Sequence, residues 1–227
     1  MILKEERKKE KKDFKICCFK MITPQAKKGG ILLIGDSLTQ GYTGQTTPFH
    51  SYSIRLSKLI PDYQIYTYGI TGQGIQDIYN REVACLTEPE KRKFSIVVLL
   101  GGSNDLGFEY AQTIIACLDK AFVCAANYLG DPTRLAVMTL PQLDCETVMK
   151  EIEQKRRAIN DWIRAVCAER SYTLIDFAGS IIPISEDIRR KNYTQDNAIW
   201  LSDGLHMSSK GYDCLADLVY SKIKDLL

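Results

Sequence analysis

Beyond residue 28 the chain alternates short, β-rich apolar runs with longer segments whose apolar residues recur at helical spacing, and that alternation admits few architectures. Five runs read as strands, at residues 31–34, 64–68, 95–100, 135–139 and 172–175. Four of them are apolar almost throughout, as expected where helices cover both faces of a sheet, whereas 64–68 is mixed and predicts an edge strand. Between the strands, Ala111, Ile114, Ile115, Leu118, Ala121, Phe122 and Ala125 make one continuous apolar stripe, which is a packing face. A second helix is predicted over 147–169, with Val148, Ile152, Ile159, Trp162, Ile163 and Val166 turned inward and its charges outward. A last helix starts near Ser208 or Ser209, either of which can cap the free N–H groups of a first turn, and buries Tyr212, Leu215, Ala216, Val219 and Ile223. Repeated strand-helix units of this kind predict a parallel sheet between helical layers.

At 227 residues, 45% of them hydrophobic, the chain has material for one full core. The net charge of +2 conceals an asymmetry: residues 1–28 hold ten Lys/Arg against four Asp/Glu, and the remainder twenty against twenty-four. The predicted organisation is therefore a basic, flexible extension over 1–28 and one domain over 29–227. Lys4, Arg7, Lys8, Lys9, Lys11, Lys12 and Lys15 could meet nucleic acid or anionic lipid. A solvated tail is the simpler expectation, because acidic residues interrupt the run. Without an apolar stretch of signal-peptide or membrane-span length, cytoplasmic residence is the expectation.

Eight cysteines (17, 18, 85, 117, 124, 145, 167 and 214) are expected to be reduced, since a chain this long needs no stapling. No C-x-x-C occurs, and His50 and His206 are the only histidines, so no zinc spacing is present. Cys117 and Cys124 read as core thiols. Adjacent Cys17 and Cys18 are candidates for acylation by position alone. A nucleotide-binding reading of Gly29-Gly30 and Gly35 fails for lack of G-x-G-x-x-G or a Walker lysine.

In open parallel sheets ligands bind beyond the carboxyl ends of the strands, so those ends are where chemistry is sought. Three share a pattern: Gly35-Asp36-Ser37, Gly69-Ile70-Thr71-Gly72, and Gly101-Gly102-Ser103-Asn104-Asp105. Each joins glycine to small polar groups. A serine becomes a useful nucleophile only beside a base. His50 has no carboxylate within several residues and reads as a surface or packing residue. His206 follows Asp203 by three residues in a loop leading to the last helix, where the carboxylate can hold the imidazole's other nitrogen. Asp-x-x-His alone is common by chance; its weight here comes from coinciding with a serine at one strand end and a Gly/Asn pair at the next two.

The segment Ile34-Gly35-Asp36-Ser37-Leu38-Thr39-Gln40-Gly41 resembles the first block of the GDSL, or SGNH, hydrolases. Gly72 falls at the family's second-block glycine, Gly102-Ser103-Asn104-Asp105 is similar to its G-x-N-D block, and Asp203-Gly204-Leu205-His206 to its D-x-x-H block. The resemblance covers residues 30–227. It implies a three-layer α/β/α sandwich on a flavodoxin-like, five-stranded parallel sheet, and hydrolysis of carboxylic esters or thioesters through an acyl-enzyme, without metal or organic cofactor. It further implies Ser37 as nucleophile, His206 as base, Asp203 as its orienting carboxylate, and an oxyanion hole from the Ser37 N–H, the Gly72 N–H and the Asn104 amide. Physical reasoning agrees with those roles, because glycine at 72 admits close approach of the backbone and a neutral amide can donate to developing charge. Asp36 and Asp105 are expected to brace their turns. The chain departs from the pattern at Gln73-Gly74, where many members carry Asp-Thr, and at Met207, where proline is frequent.

The partner implied is a small-molecule ester, whether lipid-like or an acetylated sugar, with oligomeric state left open. Tyr42, Thr43, Thr46, Phe108, Tyr110 and Trp200 are candidates to receive an apolar acyl or aryl group, and equally candidates for packing. Two other readings compete: a non-catalytic ligand-binding protein on the same fold, and an acyltransferase that passes the acyl group to an alcohol.

Overall fold

The structure is a computed structural model that describes residues 27–44, 49–87, 93–189, 194 and 197–227. Most of the basic extension, with Cys17 and Cys18, lies outside the described residues, as does Thr46. Lys27 and Lys28 lie inside them and join the domain: the Lys27 ammonium donates to the Pro61 carbonyl, and the Lys28 N–H donates to the Asp62 carbonyl at 2.8 Å.

In chain order the elements are β1 (Gly29–Gly35), α1 (Ser37–Gln40), α2 (Ser53–Leu59), β2 (Tyr63–Gly69), α3 (Ile75–Thr87), β3 (Phe94–Leu100), α4 (Ala111–Leu129), β4 (Leu135–Met138), α5 (Lys150–Arg170), β5 (Thr173–Ile175), α6 (Phe177–Ser180), α7 (Ile184–Asp187) and α8 (Ser209–Ile223). The strands pair in parallel in the order β2-β1-β3-β4-β5. Ile31 to Ile34 and Ile96 to Leu100 are buried without alternation because helices cover both faces. The mixed strand β2 is indeed an edge. One layer is formed by α3, α4 and α5, each packed on the next, and the other includes α2 against α8. With this order the connections from β1 and from β3 leave toward opposite sides, so a crevice opens beyond the carboxyl ends of β1 and β3.

The stripe on α4 packs as read, with Ile114, Leu118, Ala121, Phe122 and Ala125 buried. The cap of α8 is Ser208, whose hydroxyl accepts from the Gly211 N–H at 3.1 Å. Two expectations need correcting. The second long helix begins at Lys150, after a 3-10 turn at Asp144–Thr147, and Val148 lies exposed between them instead of inward. The physical reason is Glu146: it accepts from the Leu143 N–H and makes a buried, two-pronged pair with Arg156, closing the chain into a turn that ends before α5. Trp162 is only partly buried, stacked on Phe122 with centroids 5.6 Å apart.

The cysteines at 85, 117, 124, 145, 167 and 214 are free thiols. Among the described residues no helix is long and apolar enough to cross a membrane.

Candidate active site

The turn after β1 is forced by crowding. A Cβ on Gly35 would lie 2.3 Å from both the Leu100 carbonyl and the Thr39 hydroxyl, so only glycine lets β1 pass into α1 beside β3. Asp36 caps α1, with Oδ1 accepting from the Leu38 N–H at 2.9 Å. Ser37 follows as the first residue of α1, where an N–H has no intrahelical acceptor. Asp36 is fully buried and its Oδ2 has no partner. Burial pushes its carboxyl up to about 6, against the pull of the Leu38 N–H and of His206.

Ser37 Oγ lies 2.9 Å from His206 Nε2, and His206 Nδ1 lies 2.8 Å from Asp203 Oδ2. The nucleophile candidate, base and carboxylate thus form one hydrogen-bonded line across 169 residues of sequence. Asp203 Oδ1 accepts in addition from the N–H groups of Leu205 and His206, at 3.0 and 2.9 Å. Partial burial opposes the charge of Asp203, but the bonds from the imidazole and the two N–H groups outweigh it and hold the carboxyl at about 2. It is therefore ionised at neutral pH.

The loop that presents this pair is anchored from two sides and closed on itself by a further backbone bond. Buried Asp187 accepts from the N–H groups of Ile199 and Trp200, both at 2.8 Å. The Asp144 N–H donates to the Gly204 carbonyl at 3.0 Å, and the Leu201 N–H to the His206 carbonyl at 2.7 Å. Gly204 itself sits at φ +78°, a backbone shape that side chains disfavour.

Beyond β2, Gly72 has φ +80°, and no atom lies within 4 Å of where its Cβ would be. The left-handed backbone adds a conformational requirement for glycine at 72, and the open space beside it leaves its N–H side uncrowded by neighbouring side chains. Asn104 Nδ2 donates to the Gln73 carbonyl at 2.9 Å, which ties the end of β3 to the residue after Gly72 and leaves one amide hydrogen for a further acceptor. Gln73, at one of the departures from the family pattern, is held by Arg81: the guanidinium donates to the Gln73 side chain, to the Tyr68 carbonyl, and to the Gly35 carbonyl at 3.0 Å. Arg81 therefore clamps the carboxyl ends of β1 and β2 to the loop that carries Gly72. Sequence reading missed Arg81, Asp187 and Asp144.

Asp105 braces more than its own turn. Its Oδ2 accepts from the Ile75 N–H at 2.9 Å, at the start of α3, and burial raises its carboxyl above the usual range. His50 stays away from the line of Ser37, pairing with Asp213 of α8 at 3.0 Å. Ser103 is buried with its hydroxyl unpartnered.

Among the aromatics, Trp200 is a packing residue: it is 1% exposed, stacked on Phe177, and its indole N–H donates to the Ile182 carbonyl at 2.7 Å. Phe108 and Tyr110, after β3, are 90% and 79% exposed, and Phe49, after β1, is half exposed. Tyr42 lies against the His206 ring, with centroids 4.6 Å apart.

The family model for GDSL-like lipases/acylhydrolases matches residues 33–214, a span that contains the serine line and both glycine/asparagine turns. The chain belongs to the GDSL-like lipase/acylhydrolase family. Among solved structures, a lipase/acylhydrolase from Enterococcus faecalis is similar with a TM-score of 0.68 at 21% identity, over 88% of this chain and 97% of that one. A member of the lipolytic G-D-S-L family from Veillonella parvula gives 0.65 at 22% identity, over 87% and 97%. The psychrotrophic esterase EstA from a Pseudoalteromonas species, solved with monoethylphosphonate as inhibitor, gives 0.64 at 17% identity, over 87% and 98%. These likenesses establish the α/β fold. A comparison with curated protein sequences finds no match.

Proposed function

We propose that this family member is a carboxylic ester or thioester hydrolase working through an acyl-enzyme on Ser37. The single observation behind the proposal is the unbroken line from Ser37 Oγ through the His206 ring to Asp203, at 2.9 and 2.8 Å. Ser37 Oγ attacks the substrate carbonyl carbon while its proton passes to His206 Nε2. The imidazolium so formed is balanced by Asp203, ionised at neutral pH. The tetrahedral oxyanion is met by the N–H groups of Ser37 and Gly72 and by the amide hydrogen of Asn104 that Gln73 leaves free. Collapse expels the alcohol or thiol, which takes the proton from His206. Water, activated by the same base, then attacks the acyl carbon and frees the acid.

The phosphonate bound by the Pseudoalteromonas relative is consistent with this reading, since a phosphonate mimics the tetrahedral species. Phe49, Phe108 and Tyr110 are exposed aromatics on the loops after β1 and β3, and their exposure supports an acyl or aryl group of apolar character. A p-nitrophenyl ester series of increasing chain length, with acetylated sugars and acyl-CoA alongside, tests both points. Hydrolysis that disappears in Ser37→Ala supports the proposal. No turnover of any of these compounds, or turnover that survives Ser37→Ala, overturns it.

A further inference from the structure

We propose that Tyr42 is a positioning residue for His206, its ring holding the imidazole in the orientation that serves Ser37 and Asp203 together; this rests on His206 being the base of the reaction above. The two rings lie 4.6 Å apart between centroids with their planes inclined by 58°. That is an aromatic contact distance, at which ring pairs attract beyond the area they bury.

Tyr42 cannot drift independently of either partner. Its N–H donates to the Ser37 carbonyl at 3.1 Å, and its carbonyl accepts from the Tyr212 hydroxyl at 2.9 Å. Tyr212 is buried in the first turns of α8, the helix that follows His206. The backbone of Tyr42 is therefore suspended between the nucleophile's turn and the base's helix, and the ring between those anchors meets the imidazole. On its outer side the ring meets Phe49, at 5.9 Å.

His206 needs such a support. It stands on a loop, beside a left-handed glycine, and its partner Asp203 is partly open to solvent. Hydrogen bonds at both nitrogens fix the ring's direction only while water does not compete for them. A ring packed against the imidazole limits its rotation and so steadies the hydrogen bonds at both nitrogens. Once His206 has taken the serine proton, the imidazolium also gains from a neighbouring aromatic ring. That gain exists only after proton transfer, so its loss is read in kcat and leaves KM in place.

The test compares Tyr42→Phe with Tyr42→Leu, and with Tyr42→Met if the leucine variant does not fold. The phenylalanine variant keeps the ring and is expected to retain kcat within about twofold of wild type. The leucine variant is expected to lose roughly 3- to 30-fold in kcat with KM changed less than about twofold. A second readout needs no substrate: the hydrogen-bonded Nδ1 proton of His206, followed by NMR, should exchange with water faster in Tyr42→Leu than in wild type or Tyr42→Phe. The proposal is overturned if Tyr42→Leu keeps both kcat and the proton resonance, if Tyr42→Phe is damaged equally, or if KM alone rises. Should wild type hydrolyse no ester, the proposed activity fails while the proton exchange still decides whether the ring holds His206.

Discussion

Replacing Asn104 by alanine separates a transition-state donor from a structural brace. One amide hydrogen of Asn104 is engaged by the Gln73 carbonyl at 2.9 Å, and the other is free to meet an oxyanion. The first bond is a neutral, partly buried one, worth about 1 kcal/mol to the fold, which for a domain of this size lowers the melting temperature by roughly 2–4 °C. In the proposed reaction the second meets charge that exists only in the transition state, where removing one donor costs roughly 10²- to 10³-fold in kcat. Asn104→Ala should therefore melt nearly as wild type while losing most of its turnover, with KM little changed. Thermal melts and steady-state kinetics on a p-nitrophenyl ester measure the two effects on the same sample. A variant with raised KM and near-normal kcat would refute the assignment and move the search for the donor to Ser103, whose buried hydroxyl has no partner.

Ser37→Ala and His206→Ala should each bring turnover near background, and the double variant should cost little more, because nucleophile and base act as one unit; multiplicative losses in the kinetics would contradict this. Asp36 offers a test by pH: burial raises its carboxyl from 3.8 to about 6, so its contribution to stability is full below about pH 4 and is lost as pH rises through 6. Asp36→Asn keeps an oxygen to cap Leu38 and removes the buried charge, so it should be the more stable protein above pH 6, by at most roughly 3 kcal/mol, and no more stable near pH 4. Denaturant titrations at both pH values check this, and an equal offset at the two would sink it.

The sheet was legible because burial on both faces leaves its strands as unbroken apolar runs, and the edge position of β2 because its run is mixed. The last helix was legible because Ser208 both ends the loop and caps the first turn. By contrast α3 escaped notice, since Glu82 occupies its inward face among Ile75, Ile78 and Leu86, and a buried glutamate breaks the apolar period. Burial pushes that carboxyl well above the usual range, and neither of its oxygens has a hydrogen-bond partner.

In the site, Ser37, Asp203 and His206 were readable from residue type and spacing, whereas their supports were not. Arg81 acts on main-chain carbonyls of Gly35 and Tyr68, which have no signature in a sequence. Asp187 likewise acts on the N–H groups of Ile199 and Trp200. Trp200 was a plausible substrate contact by position, whereas its burial, its stacking on Phe177 and its indole N–H bond to the Ile182 carbonyl place it in the core.

The most direct test of the account is the site and rate of labelling by a fluorophosphonate, followed by mass spectrometry of the intact protein and its peptides. An unactivated serine reacts poorly with this reagent, so the label reports activation as well as identity. The account predicts one adduct, on Ser37, absent from Ser37→Ala and formed far more slowly in His206→Ala. An adduct on another residue, or labelling of Ser37 at an unchanged rate without His206, would contradict it.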